Sequence, residues 1–114
     1  MSMRVSLAAL ALAVAAPAAL ANDFPTADRV QYVLECMYRN GGSSVYVYKC
    51  SCVVDSVAQK YKYDEWVEIA SIARYQSLPG EGGGMFRDTK ENRDAAKRYR
   101  DIEADANKVC GVPK

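Results

Sequence analysis

Apolar residues recur along this chain at spacings of three and four, and the breaks between these runs fall at proline, glycine and serine. From Thr26 to Asn40 the positions Val30, Val33, Leu34 and Met37 form one helical face. Pro25-Thr26 starts that helix and Gly41-Gly42 stops it. Gly41-Gly42-Ser43-Ser44 is a turn. Val45-Tyr46-Val47-Tyr48 is β-prone but has no partner strand, so it reads as an extended lead into the next helix. That second helix runs from Cys50 to about Lys60, with Val54, Val57, Ala58 and Tyr61 inward. A third starts at Tyr63-Asp64-Glu65, where Asp64 suits the N-cap and acidic residues favour a first turn. Its stripe is Trp66, Ile69, Ala70 and Ala73, and Pro79-Gly80 closes it after Ser77.

The segment 78–88 holds four of the seven glycines and reads as a loop. The last helix spans Thr89 to about Cys110, with Ala95, Tyr99, Ile102, Ala106 and Val109 inward. Asp88 three residues before Glu91 resembles a capping box. The pattern therefore predicts an all-α architecture, a compact four-helix domain without internal repeats.

Ahead of these helices stands a segment of a different kind. Residues 1–21 carry Arg4, an apolar run from Leu7 to Ala16, Pro17, and the small-residue site Ala19-Leu20-Ala21, which together read as a cleavable secretory signal. A membrane-spanning helix is the alternative, but it needs ~20 apolar residues and firmer flanks, and an Ala-rich run ending in an Ala-x-Ala site argues against it. The expected exported chain is the single domain 22–114. Of the 15 Lys and Arg, Arg4 leaves with the signal, so 14 basic residues stand against 14 acidic. This balance gives no electrostatic footprint for nucleic acid or a membrane surface.

Cys36, Cys50, Cys52 and Cys110 are an even set in an exported chain and are read as two disulfides. Residues two apart on a helix point about 200° from each other. Cys50 and Cys52 can thus reach different neighbours, one bonding Cys36 and the other Cys110. A redox Cys-x-Cys pair or a thiolate metal site are the alternatives; the first lacks its βαβ setting and the second needs reduced thiols.

The chain has no histidine. That absence removes the usual nucleophile–histidine machinery, histidine-ligated metals and the usual general base, so no enzyme is expected. Carboxylates remain, and they suit hard, oxygen-seeking cations. Glu81, Asp88 and Glu91 lie close along the glycine-rich segment. Asp64 and Glu68 share a helix face, with Glu65 beside them. The plain alternative is that Asp88 and Glu91 cap a helix, Arg87 pairs with a neighbouring acid, and Glu81 is solvated. The aromatics Tyr46, Tyr48, Tyr61, Tyr63 and Trp66 serve packing or, alternatively, a partner-binding surface.

The run Pro25-Thr26-Ala27-Asp28-Arg29-Val30-Gln31-Tyr32-Val33 through Glu35-Cys36-Met37, then Tyr48-Lys49-Cys50-Ser51-Cys52, Tyr63-Asp64-Glu65, and Gly80-Glu81-Gly82-Gly83 with Phe86-Arg87-Asp88 resembles the LanD-like family of periplasmic lanthanide chaperones. These are small exported proteins that accompany pyrroloquinoline-quinone-dependent alcohol dehydrogenases in methylotrophic and related bacteria. The resemblance spans nearly all of residues 22–114. It implies a periplasmic protein that binds a lanthanide ion, with Ca2+ as a weaker substitute, at an exposed site with few protein ligands. It also implies metal-bridged homodimers and traffic with another periplasmic lanthanide-binding protein or the quinoprotein dehydrogenase system. Glu81 and Asp88 are the first candidates as ligands, Glu91 the next, and the Asp64, Glu65, Glu68 cluster the reserve. Gly82 departs from the family pattern, in place of a basic residue after the glutamate. A metal-free accessory protein docking on the dehydrogenase through its aromatic surface is the competing expectation.

Overall fold

The computed structural model describes residues 22–113; the export signal read over residues 1–21 lies outside them. Among the described residues there are five helices and no strand: α1 Thr26–Arg39, α2 Tyr46–Lys60, α3 Tyr63–Gln76, α4 Gly80–Arg87 and α5 Lys90–Cys110. The all-α class is as expected, with one helix more than the apolar pattern predicts. None of these helices is long and apolar enough to cross a membrane.

The middle layer is α2, which packs against α1 on one side and α5 on the other; α5 then carries α3 and α4. Two disulfides pin α2, Cys36–Cys50 to α1 and Cys52–Cys110 to the end of α5. Closed bridges of this kind are compatible with an oxidising, exported location. Around the first lies a core of Tyr32, Val53, Val54, Ala106 and Val112; a second core joins Val57, Tyr61, Ala73, Ala96 and Tyr99. Trp66 packs against both.

The first bridge also fixes which side of α1 faces inward. Leu34, two residues before Cys36, lies about 200° around the axis from it. With Cys36 and Tyr32 buried, Val30 and Leu34 are turned out, at 51% and 58% exposure, contrary to the face expected from their spacing. Val109 is displaced in the same way beside Cys110 and is 83% exposed, while Ala96 rather than Ala95 is buried.

The helix starts differ too. Residues 46–48 belong to α2 instead of an extended lead. A four-residue stretch without a neighbouring strand satisfies its backbone groups best as a helix, and Tyr46 and Val47 donate to the Ser43 and Ser44 carbonyls at 3.1 Å. Helix α3 begins at Tyr63, so Asp64 sits inside the first turn and is not its cap. The cap is built by Glu65, which accepts from the Lys62 N–H at 3.1 Å, and by Asp23, which accepts from Tyr63 at 3.0 Å. For α5 the cap is Thr89, accepting from Asn92 at 3.3 Å, and not an Asp88–Glu91 box.

The segment expected as a loop is largely α4. One of its glycines answers to crowding and another to backbone conformation. A Cβ on Gly83 would lie 1.8 Å from the Leu78 carbonyl oxygen. Gly80 enters the helix at φ +79°, a left-handed conformation that L side chains rarely adopt. Arg87 then holds the short helix from its far end, donating to the carbonyls of Gln76 at 2.9 Å, Leu78 at 2.6 Å and Gly80 at 3.1 Å. Tyr75 stacks on Phe86 at 5.1 Å, and Gln76 donates to the Phe86 carbonyl.

Candidate functional site

Of the six carboxylates singled out from the sequence, Glu65 is engaged in the α3 cap, and the other five, Glu81, Asp88, Glu91, Asp64 and Glu68, are all exposed. Helix formation in 80–87 separates Glu81 from Asp88 and Glu91. Glu81 stands in the first turn of α4 and Asp88 at its C-terminal end, seven residues on, which is about 10 Å along a helix axis. Asp88 and Glu91 remain three residues apart across the junction between α4 and α5. Asp64 and Glu68, four apart on α3, are neighbours on one face. Among the described residues no group of three or more acidic or cysteine side chains gathers into a metal cage.

What these carboxylates do not do is equally informative. The two arginines of the α4–α5 corner are spent on main-chain oxygens: Arg87 on the three carbonyls above, and Arg93 on those of Arg87 at 2.7 Å and Asp88 at 2.9 Å. The ion pairs among the described residues are Arg29–Asp55, Glu35–Arg74, Lys90–Asp94 and Lys97–Asp101. None uses Glu81, Asp88, Glu91, Asp64 or Glu68. With Thr89 as the α5 cap, the carboxylates of Asp88 and Glu91 are also released from the capping role expected of them.

A groove of about 650 Å³ lies elsewhere, between α1 and α3, floored by Tyr32, Tyr99 and Glu103, and it contains none of those five residues. Phe24 packs behind one end, its ring 5.0 Å from that of Trp66 and 5.6 Å from that of Tyr63, two residues that line the groove. At the same end the Tyr63 hydroxyl donates to Asp28 at 3.0 Å, a bond that holds the Tyr63 phenol above its ordinary range. Further along, the Glu35–Arg74 pair bridges the rim at 3.3 Å.

At the floor a single carboxylate oxygen of Glu103 accepts two phenols, from Tyr32 at 2.7 Å and Tyr99 at 2.8 Å. Burial first, and the Glu103 charge second, push both phenols far above their ordinary range. The Trp66 indole N–H is buried and faces the Tyr99 oxygen, where it opposes part of that shift without closing a full hydrogen bond. Both hydroxyls therefore stay protonated at any physiological pH. The two phenols act as hydrogen-bond donors to Glu103, and the cluster ties α1 to α5 at a place where the groove leaves α1 and α3 apart.

Glu103 escaped the sequence reading because it sits one position off the apolar stripe of α5. Its Tyr99 partner, four residues earlier, is a local signal. Tyr32, 71 residues away, has no counterpart in the local pattern. No family model, characterised protein or solved structure matches the chain.

Proposed function

We propose that this chain is an exported, non-catalytic metal-binding protein of the periplasm that carries a trivalent lanthanide on surface carboxylates. It would exchange the ion with another lanthanide-binding protein or with a quinoprotein alcohol dehydrogenase system. The observation that carries the reading is the use of Arg87 and Arg93 on carbonyl oxygens, which leaves Glu81, Asp88 and Glu91 exposed and without a cationic partner among the described residues. With the four thiols closed into disulfides and no histidine in the chain, carboxylates are the anionic ligands that the protein has to offer.

The spacing favours a pair over a cage. Asp88 with Glu91 is the first such pair and Asp64 with Glu68 the second, with Glu81 at the far end of α4. A hard cation of this kind takes about 6–8 oxygens, so a two-carboxylate site leaves most positions to water or to a second protomer. Metal-bridged dimers follow from that deficit. A trivalent ion gains half as much again in Coulomb energy as Ca2+ at equal distance, which places Ca2+ as the weaker substitute.

Calorimetric titration of the purified protein with La3+ and with Ca2+ tests the reading. Saturable La3+ binding at micromolar concentration, with weaker Ca2+ binding, is expected. No saturable uptake of either ion would overturn it and leave a metal-free accessory protein that docks on the dehydrogenase system.

A further inference from the structure

The outward side of α1 is apolar along its length. At 100° per residue, Ala27, Val30, Leu34 and Tyr38 fall within about 80° of arc, and the four charged residues of the helix, Asp28, Arg29, Glu35 and Arg39, all lie outside it. A surface helix ordinarily does the reverse, with its charges toward water. Here Asp28, Glu35 and Arg39 line the groove, and Arg29 pairs with Asp55 of α2. The outward stripe is thus left to Val30 at 51% exposure, Leu34 at 58% and Tyr38 at 86%. At the same end of the α1–α2 hairpin Val45, Val47 and Tyr48, at the head of α2, are exposed as well, at 52%, 40% and 82%.

Together these six side chains leave on the order of 700 Å² open to water, with ~200 Å² from each tyrosine. The largest apolar patch of a typical monomer is about 300–600 Å². One partner's half of a standard interface is about 800 Å².

We propose that α1 packs on α1 of a second copy of this chain across a two-fold axis, forming a homodimer that needs no metal. Three features of the stripe select a second copy over another occupant. Together with the exposed residues at the head of α2, its area approaches half of a standard interface. Its lack of charge means that two such faces meet without burying an unpaired ion. Val30, Leu34 and Tyr38, at i, i+4 and i+8, form one ridge of the kind that interdigitates with an identical ridge at about −50° in the commonest class of helix packing, and a two-fold contact pairs a surface with itself. This contact is separate from the metal-bridged pairing proposed above, because none of the candidate metal-binding carboxylates lies on it.

Sedimentation equilibrium of the purified protein in excess chelator, from 1 to 500 µM on the order-of-magnitude scale of protein self-association, reads the proposal directly. A reversible monomer–dimer equilibrium is expected without metal. Leu34→Glu and Tyr38→Glu should each weaken it at least tenfold while the far-ultraviolet circular dichroism stays that of the parent, since both side chains are exposed. Should Leu34→Glu fail to fold, Leu34→Ser gives the same reading with a smaller perturbation. A monomer throughout the range, a dimer unmoved by these substitutions, or a dimer that forms only after La3+ is added would each overturn the contact, and the last would do so while leaving the metal-binding reading intact.

Discussion

Replacing Cys52 and Cys110 together by serine removes the longer of the two staples while disturbing little else. The bridge closes a loop of 58 residues, against 14 for Cys36–Cys50. Loop-closure entropy of the unfolded chain then gives about 4 kcal/mol for the long bridge and about 3 kcal/mol for the short one. Packing enters differently at the two places. Cys36 and Cys50 are fully buried, at 1% and 0% exposure, so serine there would add buried hydroxyls at a cost of about 1–3 kcal/mol each if unbonded. Cys52 is exposed and Cys110 half-buried, so the long bridge acts almost entirely through chain entropy. A domain of this size has about 5–13 kcal/mol in total, and losing about 4 of it is a large fraction. Urea unfolding followed by circular dichroism at 222 nm, with wild type and the double variant side by side, measures the difference. A loss below about 1 kcal/mol would refute the account of the bridge as an entropic staple. Mild reductant should also open Cys52–Cys110 before Cys36–Cys50, a sequence that thiol trapping and peptide mapping would record.

Other consequences concern the groove floor and the glycine helix. The folded-state pKa values of Tyr32 and Tyr99 are raised by burial and by Glu103, so above about pH 10 the unfolded chain releases phenolic protons that the folded chain keeps. Stability should therefore hold below pH 10 and fall above it by up to about 1.4 kcal/mol per pH unit for each tyrosine. Urea midpoints that stay level through pH 11 would contradict that assignment. In α4, Gly83→Ala drives a Cβ into the Leu78 carbonyl and should cost about 1–3 kcal/mol, whereas Gly82→Ala meets nothing within 4 Å and should gain about 0.5–1 kcal/mol of helix propensity. Thermal midpoints shifting in the same direction for the two variants would count against the close approach seen at Gly83.

The helices were legible where sequence spacing and backbone punctuation agree. Gly41-Gly42 ends α1 as read, with Gly42 donating back to the Met37 carbonyl at 2.9 Å, and the opposed directions of Cys50 and Cys52 lead to Cys36 and Cys110. Apolar periodicity says that a helix has an apolar side but not which neighbour it meets. In α1 a disulfide and a tyrosine took the inward face, with Val33 and Met37 packed beside them, and Val30 and Leu34 went outward. Local glycine content misled at 80–87, because the residues that hold α4 as a helix are Arg87 and the carbonyls of Gln76 and Leu78, contacts nine and eleven positions apart. The candidate site was legible as a set of carboxylates. How they divide between the ends of α4, the α4–α5 junction and α3 depends on that same unforeseen helix.

The central claim, that unpaired surface carboxylates hold the ion, is met most directly by titrating La3+ into Asp88→Asn/Glu91→Gln beside the wild-type protein and Asp64→Asn/Glu68→Gln. The account predicts at least a tenfold weaker affinity for the first variant, equivalent to about 1.4 kcal/mol, with helical circular dichroism retained and little change in the second. Affinity unchanged in both variants would contradict it.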